Sequence, residues 1–369
     1  MKRYNKARSA VRGRRLLSVL IALFMTVLTV TAAFSAAGSL TVSAAEAEDD
    51  PYDFDPFAEG ASYSCVLYNN ANGMPTSEAN AITQTSDGFI WIGSYGGLVR
   101  YDGYRFERMD PSLGLTGVTC LTADRKDRLW IGSNDSGLTM LYRDEVKHWG
   151  LEDGLESLAV SCIVEDSKGT VYIATKKGIL TTSDGSNLQA LTDLRIDDIS
   201  VGDMKVGADD NIYCLSQQGD FFILKNGNID RFYAGHTIPV PSVSCFLPDK
   251  NNPGYIYFSS EGEGIYYCDV NGTPKCEKVY TDQLLTNTSC MAYVNNKVWL
   301  FASGNIIMLD KDKVHALKNP PMNSNIYHIM EDFEGNMWFT STRQGVMKLT
   351  PNRFSDVFDT MNPPHRAIL

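Results

Sequence analysis

The stretch Ser86-Asp87-Gly88-Phe89-Ile90-Trp91-Ile92-Gly93-Ser94-Tyr95-Gly96-Gly97-Leu98-Val99-Arg100-Tyr101-Asp102-Gly103 decides the fold of this chain. A polar turn at Ser86-Asp87-Gly88 feeds an apolar strand over 89–92. A Gly-rich corner at 94–97 reverses the chain into a second strand over 98–101. Asp102-Gly103 reverses it again, since a two-residue turn that matches strand twist needs positive φ and Asp-Gly supplies it. The stretch therefore reads as antiparallel strands joined by tight turns.

The same unit recurs along the chain. Trp91, Trp130, Tyr172, Tyr213, Tyr257, Trp299 and Trp338 each sit inside an apolar strand, at intervals of 39, 42, 41, 44, 42 and 39 residues. Downstream of each aromatic comes a turn: Asp102-Gly103, Asp144-Glu145, Asp184-Gly185, Asn226-Gly227, Asn271-Gly272, Lys311-Asp312 and Pro351-Asn352. Upstream lies a short strand marked by Ala81-Ile82, Cys120-Leu121, Cys162-Ile163, Asp203-Met204, Cys245-Phe246, Cys290-Met291 and His328-Ile329. A period near forty with about four short strands is the pattern of a propeller blade. The chain is thus expected to be all-β, a seven-bladed β-propeller of four-stranded antiparallel blades over 62–358. An irregular β-sandwich also turns every ten residues, but does not keep three markers in phase. Two segments compete to complete blade seven: Tyr63–Tyr68, and a final strand over 353–358.

The chain begins with a basic segment. Its first fifteen residues carry seven Lys or Arg and no acid, and an apolar run follows over 16–34. Small residues at Val42-Ser43-Ala44 and Ala45-Glu46-Ala47 offer processing sites, so 1–45 reads as an export signal. Its apolar run is also long enough to span a bilayer as an uncleaved anchor. Residues 46–61 read as a flexible acidic leader and 359–369 as a tail. Without 1–45 there are 33 − 7 = 26 basic residues against 44 acidic, a net charge of −18. Such a charge argues against nucleic acid or an anionic membrane surface as partner. The membrane is expected to be met only through the N-terminal segment, with the propeller exported to the periplasmic or extracellular face.

Export makes the eight cysteines candidates for disulfides. Cys120, Cys162, Cys245 and Cys290 occupy one slot in four blades, where neighbours lie too far apart to bridge. They read as small apolar fillers. Cys268 and Cys276 flank the Asn271-Gly272 turn; they pair across a hairpin or remain two free thiols.

Asp87-Gly88-Phe89-Ile90-Trp91-Ile92-Gly93-Ser94, with Gly97-Leu98-Val99-Arg100-Tyr101-Asp102-Gly103, resembles the repeat of the two-component regulator propeller family. Gly73-Met74-Pro75 and Asn80-Ala81-Ile82 match that family's lead-in. Blades two, three and seven are similar; blades four to six agree in spacing and aromatic position. The resemblance implies an extracytoplasmic sensor linked to a histidine kinase or diguanylate cyclase output, with two propellers in tandem the usual arrangement. A single propeller departs from that arrangement, and its signalling partner or C-terminal transmitter would have to lie elsewhere.

No chemistry-bearing motif stands out. The five histidines form no close pair, and no Cys-x-x-Cys spacing, P-loop, nucleophile elbow or EF-hand loop occurs. Glu165-Asp166 and Glu331-Asp332 are adjacent on strands and so face opposite ways. No cofactor and no metal site is expected. In a propeller, loops between second and third strands and loops between blades share one face. On that face Asn80, Thr119, Ser161, Ser244, Ser289, Tyr327 and His328 are expected near the channel mouth, with Tyr95 and Arg343 in the loops above. A polar mouth of this kind suits a glycan or other polar small molecule. The rival readings are a propeller enzyme, lyase or glycan-cleaving, with catalytic residues on loops, and a protein-binding scaffold.

Overall fold

The computed structural model describes residues 63–143, 145–235, 237–310 and 313–351. It contains seven four-stranded antiparallel sheets. The inner strands are Ala81–Gln84, Val118–Ala123, Val160–Glu165, Val201–Val206, Val243–Pro248, Thr288–Val294 and Ile326–Glu331, and they define blades one to seven. Each inner strand packs on the next in sequence order, and the seventh packs on the first, closing a ring. Blade four therefore lies across the channel from the junction of blades seven and one. Among the described residues helix is confined to single 3-10 turns at Pro111–Leu113, Leu151–Asp153 and Gln283–Leu285. No described helix is long and apolar enough to cross a membrane.

The ring is closed by the N-terminal strand. Tyr63–Tyr68 pairs antiparallel with Gly345–Pro351, in the register Tyr63 to Pro351 and Tyr68 to Val346. Pro351 is thus the last residue of that strand, and Asn352, the other half of the turn position read there, lies outside the described residues. A proline tolerates this place because it lacks only the N–H that a ladder would otherwise use. The Asp144 and Lys311-Asp312 turn positions, the 353–358 segment, His236, and residues 1–62 and 359–369 lie outside the described residues.

The core is layered between blades. The seven repeat aromatics sit on the second strands, and six are buried; Tyr257 is half-buried. In blades one to four and seven their polar atoms are satisfied by a repeated device. The Trp130 indole N–H donates to Asp124 Oδ2 at 2.8 Å, and that of Trp338 to Asp332 Oδ2 at 2.7 Å. The Tyr172 hydroxyl donates to Asp166 at 3.3 Å and the Tyr213 hydroxyl to Asp209 at 2.9 Å. In blade one Thr85 Oγ1 takes the part of the carboxylate, accepting from Trp91 at 2.9 Å. In blade five Asp249 accepts instead from Tyr267 of the third strand at 2.6 Å, whose ring centre is 4.8 Å from that of Tyr257.

The second carboxylate oxygen holds the hairpin. Asp124 Oδ1 accepts the N–H groups of Lys126 and Arg128, Asp166 Oδ1 those of Lys168 and Thr170, and Asp332 Oδ1 those of Glu334 and Asn336. One side chain thus caps the turn and anchors the aromatic that fills the space between blades. Burying an indole without such an acceptor costs about 1–3 kcal/mol.

Glu165 and Glu331 point away from their Asp neighbours, as strand alternation requires. Each reaches the preceding blade: Glu165 Oε2 accepts from Arg125 N and Glu331 Oε2 from Asn295 N, both at 2.9 Å. Cys268 and Cys276 form a disulfide across the third and fourth strands of blade five. The other six cysteines are free thiols.

Replacing Asp332 with Ala strands the Trp338 indole and two turn amides together. We expect Asp332→Ala to cost about 3 kcal/mol in urea unfolding followed by tryptophan fluorescence. Asp332→Asn keeps an acceptor and should lose clearly less; equal losses for the two variants would contradict this account.

Candidate ligand-binding channel

The inner strands are not regular. In blades two to seven the ladder to the second strand skips one residue at the same place, leaving Thr119, Ser161, Gly202, Ser244, Ser289 and Tyr327 unpaired. Asn80 holds the equivalent position ahead of Ala81 in blade one. A bulge of this kind re-aims the side chain of the extra residue. Here it aims it toward the channel and the next blade.

That geometry decides what these side chains do. Asn80 Nδ2 donates to Val118 O at 2.9 Å, Thr119 Oγ1 to Val160 O at 2.6 Å, and Ser161 Oγ to Val201 O. Ser244 Oγ donates to Thr288 O at 3.0 Å and Ser289 Oγ to Ile326 O at 2.8 Å. Each bulge residue therefore ties its blade to the first carbonyl of the next inner strand. Asn80, Thr119, Ser161, Ser244 and Ser289 do line the channel, but their donors are spent on blade-to-blade stitching. Asn80 Oδ1 is buried and has no partner among the described residues.

Two members of the series do not stitch in this way. Gly202 has no side chain, and Tyr327 presents a large ring that is 51% exposed. Tyr327 shares the mouth with Tyr95, 54% exposed, on the adjoining blade one. The backbone N–H of Tyr95 is held by Glu78 Oε1 at 3.2 Å. Arg343 lies in the second-to-third-strand turn of blade seven, exposed, but does not line the cavity; its neighbour Thr342 does.

The cavity measures about 1090 Å³ and opens at the expected face. Its walls include the thiols of Cys120, Cys162, Cys245 and Cys290, and His328. Burial pushes the Cys120 and Cys290 thiols up to about 12 and also raises those of Cys245 and Cys162 well above the ordinary thiol value. They are protonated and unreactive at neutral pH. No group of three His, Cys, Asp or Glu side chains gathers as metal ligands among the described residues.

One feature escaped the sequence reading. Asp203 holds the slot that cysteine or another small residue holds in most blades, and Lys205 follows two residues later on the same strand face. Both line the channel, with Lys205 Nζ 3.4 Å from Asp203 Oδ2. Desolvation is the largest influence on Lys205 and opposes its charge, but Asp203 together with Cys162 and Cys245 outweighs it, and the amine lies above its ordinary value. The signal lies in Asp203-Met204, the one acidic member of the inner-strand series, which in the sequence reads only as a marker of spacing.

The two-component regulator propeller family matches residues 73–96 and 112–135. The chain carries two-component regulator propeller repeats. No curated protein matches it. Among solved structures it is similar to a streptogramin B lyase, with 16% identity, 80% of this chain and 100% of that one covered, and a TM-score of 0.62. It is similar to the extracellular domain of a hybrid two-component system from B. thetaiotaomicron, with 18% identity, 78% and 42% coverage, and a TM-score of 0.63. A third is a catalytically inactive virginiamycin B lyase from Staphylococcus aureus with quinupristin, at 17% identity, 78% and 99% coverage, and a TM-score of 0.63. At these identities the likeness is one of fold. Both matched segments fall in blades one and two.

His328 is open to channel water but recessed among the blades. Desolvation there, reinforced by the Lys205 ammonium, lowers its pKa from 6.5 to about 4; Asp203 acts in the opposite sense. A base held below its unfolded pKa stays neutral in the fold and takes up its proton on unfolding. Its contribution is present above 6.5 and is lost as pH falls toward 4. An NMR titration of His328 should show a midpoint near 4. Lys205→Met should move that midpoint upward, while leaving it below 6.5. A midpoint already at 6.5 in the parent chain would contradict the recessed placement.

Proposed function

We propose that this chain is the ligand-binding propeller of an extracytoplasmic sensor. A polar small molecule or glycan would enter the channel mouth, and occupancy would alter how the propeller docks on a signalling partner or transmitter. The export signal read over 1–45 would place it outside the cytoplasm. The repeats support the sensor role, since their family is named for two-component regulation.

The observation that carries the reading is the division of labour around the channel. Four bulge residues and Asn80 are consumed by stitching, whereas Tyr95 and Tyr327 are half exposed at one side of the mouth. Exposed rings with few neighbours cost solvation free energy that a stacked ligand would recover. A ligand shifts the docking equilibrium only by its differential affinity for the two states. Signalling would therefore need the ligand to favour one docking state, and the loops that carry Tyr95 and Thr342 would be where ligand and partner could both bear on the mouth.

The enzyme reading gains no specific support. Glu78, Asp203 and His328 line the same cavity, yet among the described residues no hydrogen bond joins His328 to either carboxylate.

A thermal-shift series on the full chain tests the proposal, with neutral sugars, uronic acids, amino acids and divalent metal ions offered singly. The true ligand class should raise the midpoint with concentration, reaching about 2.7 kcal/mol at a hundredfold excess over Kd. Tyr327→Ala should weaken that response without lowering the unliganded midpoint. A cooperative melt that no compound moves would sink the ligand-binding reading.

A further inference from the structure

Blade four's inner strand departs from the ring at three positions that face the channel. Gly202 stands where the other blades carry Asn, Thr, Ser or Tyr. Asp203 stands in the small-residue slot, and Lys205 follows on the same face. The glycine is not imposed by the backbone, because its φ is not in the left-handed region. It is not imposed by crowding either, since an added Cβ would meet only Gln217 and the Leu215 carbonyl at ordinary contact distances of 3.5 Å and more. Its effect is to leave open the wall beside Asp203, Lys205 and Gln217, all of which line the cavity.

The open wall exposes a matched pair of charges. The Asp203 and Lys205 side chains are 37% and 28% accessible, with their charged atoms 3.4 Å apart. That separation is loose for an ammonium–carboxylate contact, which closes to about 2.7–2.9 Å when optimal. Charges removed from bulk water must be paired. A simple anion drawn to Lys205 would meet Asp203 and loosen its pairing, and a simple cation would do the reverse. A ligand that carries both charges on one carbon meets both at once, because its ammonium and carboxylate are spaced similarly to the pair itself.

We propose that Asp203 and Lys205 bind the ammonium and carboxylate of an α-amino acid, seated where Gly202 leaves the channel wall open. The inference rests on the reading of the channel as a ligand site and names the ligand class. Lys205 takes the carboxylate, Asp203 the ammonium, and the amino-acid side chain projects into the cavity. His328 adds no charge at neutral pH, and the other titratable groups facing the pair, the Cys162 thiol 3.7 Å from Asp203 Oδ1 and the Cys245 thiol, stay protonated.

The test uses the full chain and each of the twenty protein amino acids, with calorimetric titration of any that raises the melting midpoint. The amide of the active compound lacks the carboxylate, and its N-acetyl derivative lacks the ammonium. We expect at least one amino acid to bind and each derivative to lose about ten- to a hundredfold in affinity. Lys205→Met and Asp203→Asn should cause losses of the same order. Gly202→Ser adds the hydroxyl that blade five carries at this position and should fold normally while weakening binding by narrowing the wall. If a sugar or uronic acid binds while all twenty amino acids are silent, this inference falls and the ligand-binding channel stands. If nothing binds, both fall. Amino-acid binding unaffected by all three variants would place the ligand elsewhere and overturn the assignment to blade four.

Discussion

The propeller depends on a buried carboxylate that does two jobs. In blades two, three and seven an Asp closes the hairpin between the first two strands and, six residues on, receives the polar hydrogen of the aromatic. The spacing follows from the geometry of an antiparallel pair. The Asp ends one strand, the turn occupies the next residues, and the aromatic lies on the returning strand on the same face. The turn glycine is needed where the reversal puts φ near +80° to +90°, as at Gly88, Gly169 and Gly335. Once that hairpin is set, the aromatic is held in the seam and the neighbouring blade has a surface to pack on. The period near forty is the visible trace of this coupling.

This explains how much was readable without coordinates. The seven blades, the N-terminal strand as a candidate for closure and the cysteine slot all follow from patterns local to one blade. Turn residues and alternation are set by near neighbours, so they appear as motifs. What the pattern left open depended on contacts between distant segments. Whether Tyr63–Tyr68 or the later 353–358 segment completes blade seven is open in the sequence, because each reads as a short strand; the register with Gly345–Pro351 gives Tyr63–Tyr68 that place. Whether Cys268 and Cys276 pair depends on the register of their hairpin, which sets them directly opposite.

The candidate site was legible in position but not in purpose. Asn80, Thr119, Ser161, Ser244 and Ser289 line the cavity, yet a small polar side chain on an inner strand looks the same whether it faces a ligand or bonds a carbonyl. The bulge settles the matter, and a one-residue irregularity leaves no clear signature in sequence. The stitching also serves stability: at five of the seven seams the first carbonyl of an inner strand finds a side-chain donor from the adjacent blade.

Blade four looks degenerate as a repeat, and loss of constraint would be the simple account. Its structure argues for something narrower. Asp209 still receives the Tyr213 hydroxyl, and Phe221, Phe222 and Ile223 are fully buried in the third strand. A decaying blade would lose buried contacts first, since most random substitutions fall on packing and are destabilising. Here the packing is intact, and the departures that set blade four apart, Gly202, Asp203 and Lys205, line the channel. An unmatched charge removed from bulk water would be costly, and Asp203 and Lys205 offset one another. The stitch is missing at the same place. Blade four has thus exchanged a stabilising contact between blades for an open, charge-matched wall, an exchange that packing alone does not reward.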